Sequence, residues 1–342
     1  METSFFLASN SGEGFYSLYD EFPGDNAYLH IIKGGPGTGK SGFMRRIAGE
    51  AEKRGLDTEL ILCSGDPDSL DGLYIPSLGQ AWMDGTAPHV REPGVFGVDS
   101  DYVNLGVFCR LPLSKGAAKT AVDVNRRYKA LYASAYSYLR AEAAVAMAYE
   151  TEALSGEQLE KVENIISDIL AGEVRHLKKR KGTQRRRFIS AISCRGKVRL
   201  NDTIEKLCKQ YYFFEDALHA HQLLTLVARK AAEFGLECIL CPEPLRPERL
   251  EALLLPETGL CFSAAEPDSG VPGMRIYFGN EPKKAEPGLH ENPIKKKLRE
   301  QATQLLADAK TLHDELETLY RPNMDFDGLT AFSDEYIEKL FI

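Results

Sequence analysis

One octapeptide, Gly34-Gly35-Pro36-Gly37-Thr38-Gly39-Lys40-Ser41, restricts this chain more than any other stretch, because of what flanks it. Before it, Tyr28–Lys33 is an apolar run of strand length. After it, Phe43, Met44, Ile47, Ala48 and Ala51 recur at helical spacing up to Gly55, a residue type that ends helices. A strand that turns through glycines into a helix N-terminus, within the pattern G-x-x-x-x-G-K-[ST], predicts a phosphate-binding loop. Gly34, Gly35, Gly37 and Gly39, with Pro36 and Thr38 between them, let successive backbone N–H groups converge on an anion without side-chain interference. The helix dipole favours negative charge at the same spot. Lys40 is expected on the β- and γ-phosphate oxygens, and the Ser41 hydroxyl on magnesium. The expected ligands are therefore a nucleoside triphosphate and Mg²⁺, with ATP preferred by default because no Asn-Lys-x-Asp guanine signature is present.

The chain also repeats itself. At a shift of 180, residues 66–79 lie over residues 246–259, and Ala48, Ala51, Gly55 and Leu56 lie over Ala228, Ala231, Gly235 and Leu236. The matched positions are mostly apolar, Gly or Pro, which backbone and core constrain most. Each copy reads as strand, helix, strand, short connection, strand, and that alternation predicts a parallel α/β sheet flanked by helices. A helical hairpin is expected as the tail of each copy, over 124–151 with 157–170 and over 294–320 with 333–340, with breaks at Gly156 and at Arg321-Pro322. The organisation expected is a nucleotide-binding domain with its tail at 1–174, a basic linker at 175–187, and a second domain with its tail at 188–342. In the ungapped comparison, residues 214–221 of the second copy stand over the glycine loop. They hold no glycine; Lys40 is matched by Ala220, and Asp84 by Ala264. The second copy is expected to bind no nucleotide by this route and to pack on the first as a pseudo-dimer partner.

Carboxylates near the loop supply the remaining candidates. Asp84 follows the apolar Ala81-Trp82-Met83, as the second magnesium ligand at the end of a neighbouring strand would; a turn aspartate before Gly85 is the plainer reading. Asp66, Asp68 and Asp71 cluster after the second strand, and Asp66 or Asp68 is a candidate to polarise an attacking water or an acceptor hydroxyl; helix capping explains them as well. Thr86 and His89 are candidate γ-phosphate sensors or turn residues. Residue 85 is glycine, so the acidic residue that often follows such an aspartate in hydrolytic machines is missing, and turnover is expected to be slow.

Bulk composition excludes some classes. A formal net charge of −8 gives no global reason for nucleic-acid or membrane binding. No run approaches about 18 apolar residues, so no membrane span is expected. Met1 to Leu7 lacks a signal-peptide pattern, and seven scattered cysteines suit a reducing cytoplasm. His219, His221, Cys238 and Cys241 invite a zinc reading, but a Cys-x-x-Cys inside an apolar strand is more often core. The run from Arg175 to Arg187 is the one strong charge anomaly. It would draw nucleic acid or another polyanion, or serve only as a solvated linker.

Several of these stretches together resemble a family. Residues 12–20, the loop at 34–41, Ser69-Leu70-Asp71-Gly72, residues 84–89, Val103-Asn104-Leu105-Gly106 and residues 321–326 look like an uncharacterised family of bacterial P-loop ATPase-like proteins, found mainly in Firmicutes. The resemblance spans the chain and implies two tandem P-loop modules, the second degenerate here, and nucleotide binding. It implies no particular reaction. A slow Mg-dependent ATPase acting as a switch is the leading expectation. A small-molecule or nucleotide kinase, and a nucleotide-gated module contacting nucleic acid through the basic run, are the rivals.

Overall fold

Short strands of three to six residues, mostly apolar, build two six-stranded sheets. The computed structural model describes residues 1–24, 27–148, 154–174, 182–214, 219–264, 273–276 and 292–342. The first half runs β1 (Glu2–Phe6), β2 (Ala8–Ser11), β3 (Gly14–Ser17), β4 (Tyr28–Lys33), α1 (Lys40–Lys53), β5 (Thr58–Leu62), β6 (Leu70–Ile75), β7 (Gln80–Asp84) and β8 (Ser100–Asn104), then the long helices α2 (Lys115–Met147) and α3 (Gly156–Glu173). The second half follows the same plan: β9 (Gln184–Arg186), β10 (Ser190–Ser193), β11 (Gly196–Arg199), α4 (Asn201–Leu207), β12 (Gln210–Phe214), α5 (Ala220–Glu233), β13 (Cys238–Pro242), β14 (Leu250–Leu255), β15 (Leu260–Ser263), β16 (Gly273–Ile276), α6 (Pro293–Tyr320) and α7 (Phe326–Leu340).

The strand orders, β1-β5-β6-β7-β4-β8 and β9-β13-β14-β15-β12-β16, correspond rank for rank. Both sheets are mixed, which corrects the all-parallel expectation. The connections β5–β6–β7 and β13–β14–β15 are too short to carry a crossover helix, so those strands turn back antiparallel, while the outer pairs stay parallel. Even an irregularity recurs. The ladder steps from Ile61–Gly72 to Leu62–Leu70, leaving Asp71 as an extra residue, and from Cys241–Ala252 to Pro242–Leu250, leaving Glu251.

The halves meet around Phe6 and Phe188, whose N–H groups each donate to the other's carbonyl at 2.9 Å. Phe5, Phe6 and Leu7 share one buried cluster with Phe188, Ile189 and Ala191. The tails do not stay at home. Val162, Ile166 and Leu170 of α3 pack with Leu223, Leu224 and Val227 of α5. In return, Leu329, Phe332 and Tyr336 of α7 pack with Phe43, Met44 and Trp82 of the first half. Between them α2 lies along α6, where Ala135 and Ala302 permit close approach beside Leu139 and Leu306, and Arg299 donates to buried Glu142 at 2.6 and 2.7 Å. Gly156 is no break; it is the first residue of α3, behind a capping box formed by Ser155 and Gln158.

The basic run is also corrected where it is described. Residues 175–181 lie outside the described residues, but 184–186 form the edge strand β9, so the second half begins before residue 188. Arg185 and Arg187 both donate to Glu59 at 2.6 Å, Arg186 donates to Glu21 at 2.8 Å through Nε, and Arg187 is fully buried. These three guanidinium groups are paired with carboxylates of the first half. Cys238 and Cys241 stand three positions apart on one strand, so their thiols enter different core clusters, and they make no zinc pair. No group of three or more His, Cys, Asp or Glu able to hold a metal occurs among the described residues, and no helix among them is long and apolar enough to cross a membrane.

Candidate functional site

Strand β4 delivers the chain to the C-terminal edge of its sheet, and the glycine loop returns it into α1. Gly39, at φ 86°, is the residue before the helix and lies in the left-handed region that side chains disfavour. It is crowded as well: a Cβ there would come within 2.7 Å of Leu329 Cδ2. A Cβ on Gly37, at φ 69°, would lie 3.3 Å from the backbone of Glu317. Inside the loop, Thr38 Oγ1 donates to the Gly35 carbonyl at 2.9 Å. Lys40 Nζ donates to the carbonyls of Gly34 and Gly35 at 3.0 and 2.9 Å and stands 3.5 Å from Asp84 Oδ2.

Asp84 closes β7, the strand paired in parallel with β4, and sits opposite Ile32 in the ladder. Its Oδ1 accepts from the Thr86 backbone at 2.9 Å and from the Thr86 hydroxyl at 2.6 Å. The Ser41 hydroxyl accepts from the Leu70 backbone at 3.0 Å, which ties the first turn of α1 to β6. Lys40 and Ser41 thus open α1, and Asp84, from the end of the adjacent strand, meets the Lys40 ammonium. Magnesium takes few protein ligands beside phosphate and water, so one hydroxyl and one carboxylate suit it.

Asp66 and Asp68 stand apart from the Lys40–Asp84 pair. Both line a cavity of about 240 Å³ beside the loop, together with Tyr128 and Tyr132 of α2 and Lys310 and His313 of α6. Asp66 pairs with Lys310 at 3.4 Å, and exposed Asp68 pairs with Arg195 of the second half. Their carboxylates hold the halves together at the cavity wall.

The buried carboxylate is Asp71, the bulged residue. Its Oδ2 accepts from the Tyr19 hydroxyl at 3.0 Å and lies 3.2 Å from His89 Nε2. The His89 ring is packed between Phe15 and Tyr19, with centroids at 5.3 and 4.3 Å. Burial alone would raise Asp71, but the charge and hydrogen bond of His89, with the hydrogen bond of Tyr19, hold it below the usual carboxylate range. Burial alone would lower His89; Asp71, helped by Asp84, outweighs this and lifts it above the ordinary histidine value, against the opposing charge of Lys40. The result is a buried carboxylate–imidazole pair within electrostatic reach of Lys40 and Asp84. The recurrence of an acid at positions 71 and 251 was the one signal in the sequence that singled this residue out.

The second half lacks the loop for a further reason. The ladders align Phe214 with Ile32, because Leu260 faces Gln210 as Gln80 faces Tyr28, whereas α5 starts at the position of α1. Between those points stand five residues, 215–219, against seven, 33–39. The ungapped match of 214–221 to 34–41 is therefore off by two at its start, and residues 215–218 lie outside the described residues. Ala220 still stands where Lys40 does. No family model, curated protein or solved structure matches the chain.

Proposed function

We propose that this chain is a cytoplasmic ATP-binding P-loop protein, duplicated with one loop lost, which hydrolyses ATP slowly with Mg²⁺ and acts as a nucleotide-dependent switch. The observation that carries this reading is Lys40, set at the start of α1 within 3.5 Å of Asp84 on the adjacent strand. The loop amides and the α1 N-terminus would cradle the phosphates, with the Lys40 ammonium exchanging its carbonyl partners for β- and γ-oxygens. Ser41 and Asp84 would hold Mg²⁺, which when bound neutralises charge developing on the phosphates. Position 85 has no room for an acid, since a Cβ there would lie 2.3 Å from Ile31 Cγ2, and slow turnover follows. The family resemblance points the same way. Switching is supported by what touches the loop: Tyr320 against Gly35, Glu317 against Gly37 and Leu329 against Gly39, all from the far end of the chain.

The cavity beside the loop, with Asp66 in its wall, favours one second reading, phosphoryl transfer to a small acceptor. Calorimetric titration of ATP, GTP and ADP with and without Mg²⁺, followed by phosphate release, tests both. Binding with phosphate release above a Lys40→Ala control supports the ATPase; label from the γ-phosphate on a metabolite supports transfer. A protein that takes up no purine triphosphate at millimolar concentration refutes the reading.

A further inference from the structure

The buried His89 is more than a packing histidine. Its side chain is only 7% exposed, its Nε2 is committed to Asp71, and its Nδ1 is buried with no hydrogen-bond partner among the described residues. A buried polar nitrogen without a partner costs about 1–3 kcal/mol, so a histidine kept only for packing would be expected to find one. The charges facing the ring are Asp71, Asp84 and Lys40, the last two being the groups assigned to the phosphate end of the nucleotide. The second half makes the contrast. There the bulged Glu251 is paired with Lys197 at 2.9 Å and accepts from Ser190. Lys197 occupies the β11 position that Phe15, the residue packed on His89, occupies in β3. Where the glycine loop is absent, the bulge carboxylate has a lysine partner; where the loop is present, it has a ring with one nitrogen still unpartnered.

We infer that His89 binds the terminal phosphate of the triphosphate, its Nδ1 donating to a γ-oxygen while Asp71 and Tyr19 fix the ring. This deepens the nucleotide-binding reading and rests on it. It makes His89 a γ-phosphate discriminator, so its loss should change ATP without changing ADP.

The test is the Mg²⁺-dependent affinity of the full chain for ADP and for a non-hydrolysable ATP analogue, in the wild type, His89→Phe and His89→Asn. Phenylalanine keeps the ring packing and removes both donors; asparagine keeps a donor near the Nδ1 position. The analogue should bind about ten-fold or more weaker to His89→Phe, the scale of one hydrogen bond to a charged group, with partial recovery in His89→Asn. ADP affinity should stay within about two-fold in both. Equal weakening of the two nucleotides, or no change in either, overturns the inference while leaving the P-loop reading intact. A wild type that binds neither nucleotide overturns both.

Discussion

Replacing Glu59 by glutamine should destabilise the whole chain, because one carboxylate holds two arginines across the contact between halves. Glu59 lies on β5 with its side chain 5% exposed; Arg187 is fully buried and donates through Nε at 2.6 Å, and Arg185 donates to the other oxygen at 2.6 Å. The amide keeps the shape and one acceptor but removes the charge. Arg187 then keeps only the Arg186 carbonyl at 2.9 Å and the face of Phe22 at 5.7 Å, and is left as a buried cation without a counter-ion. Breaking such a pair from one side costs about 3–5 kcal/mol. The Arg185 share is discounted because its side chain is about a third exposed. With a urea slope on the order of 3 kcal/mol/M, the unfolding midpoint should fall by roughly 1 M. Burial pushes Glu59 up, but Arg187 and Arg185 more than reverse this and hold it below the usual carboxylate range. Its contribution is therefore complete above the unfolded carboxylate value and is lost as pH falls through the lower folded value, and the glutamine variant should lack that acid-side decline. The double variant Glu59→Leu with Arg187→Met should recover most of the loss. A glutamine variant that unfolds at the wild-type urea midpoint, with an unchanged slope, would refute the buried-pair account.

Gly39→Val adds a branched side chain at φ 86° where even a Cβ meets Leu329, so it should abolish nucleotide binding by calorimetry while circular dichroism stays native. Ser41→Ala should leave ADP binding without metal unchanged and reduce the gain conferred by Mg²⁺ about ten-fold, read by titration with and without the ion. Leu329→Ala removes a side chain 7% exposed from the α1–α7 contact and should cost about 2–5 kcal/mol in thermal or urea unfolding. An unchanged midpoint there would mean that α7 does not hold α1.

Local elements were legible because their signals are local. The spacing Phe43, Met44, Ile47, Ala48, Ala51 locates α1 to within a residue, and Asp84 stands at the strand end its apolar neighbours predict. Partners were not legible. An apolar stripe on residues 326–340 states that something covers it, and only packing decides that α1 of the opposite half does so. The two-residue shortening before α5 escaped the ungapped comparison because β4 and β12 are apolar at either register, so only the ladder fixes their alignment. Asp71 and His89 are 18 positions apart, and a bulge, not periodicity, turns the carboxylate toward the ring.

The crossing of the tails gives a physical reason for keeping a half without a phosphate loop. The glycine loop is walled by Glu317, Tyr320 and Leu329, and the hydroxyl of Tyr336 accepts from the Trp82 indole N–H at 3.0 Å, so the first half cannot be complete without the last 30 or so residues of the chain. Those residues are carried on α6, which is itself anchored on α2 and on β10 and β11 of the second half. Any movement of the loop would therefore press on α6 near Glu317, about five turns along the same helix from the Arg299–Glu142 pair. A helix of 28 residues transmits such a displacement as a body. The second sheet is then the base on which α6, and through it the wall of the glycine loop, is held.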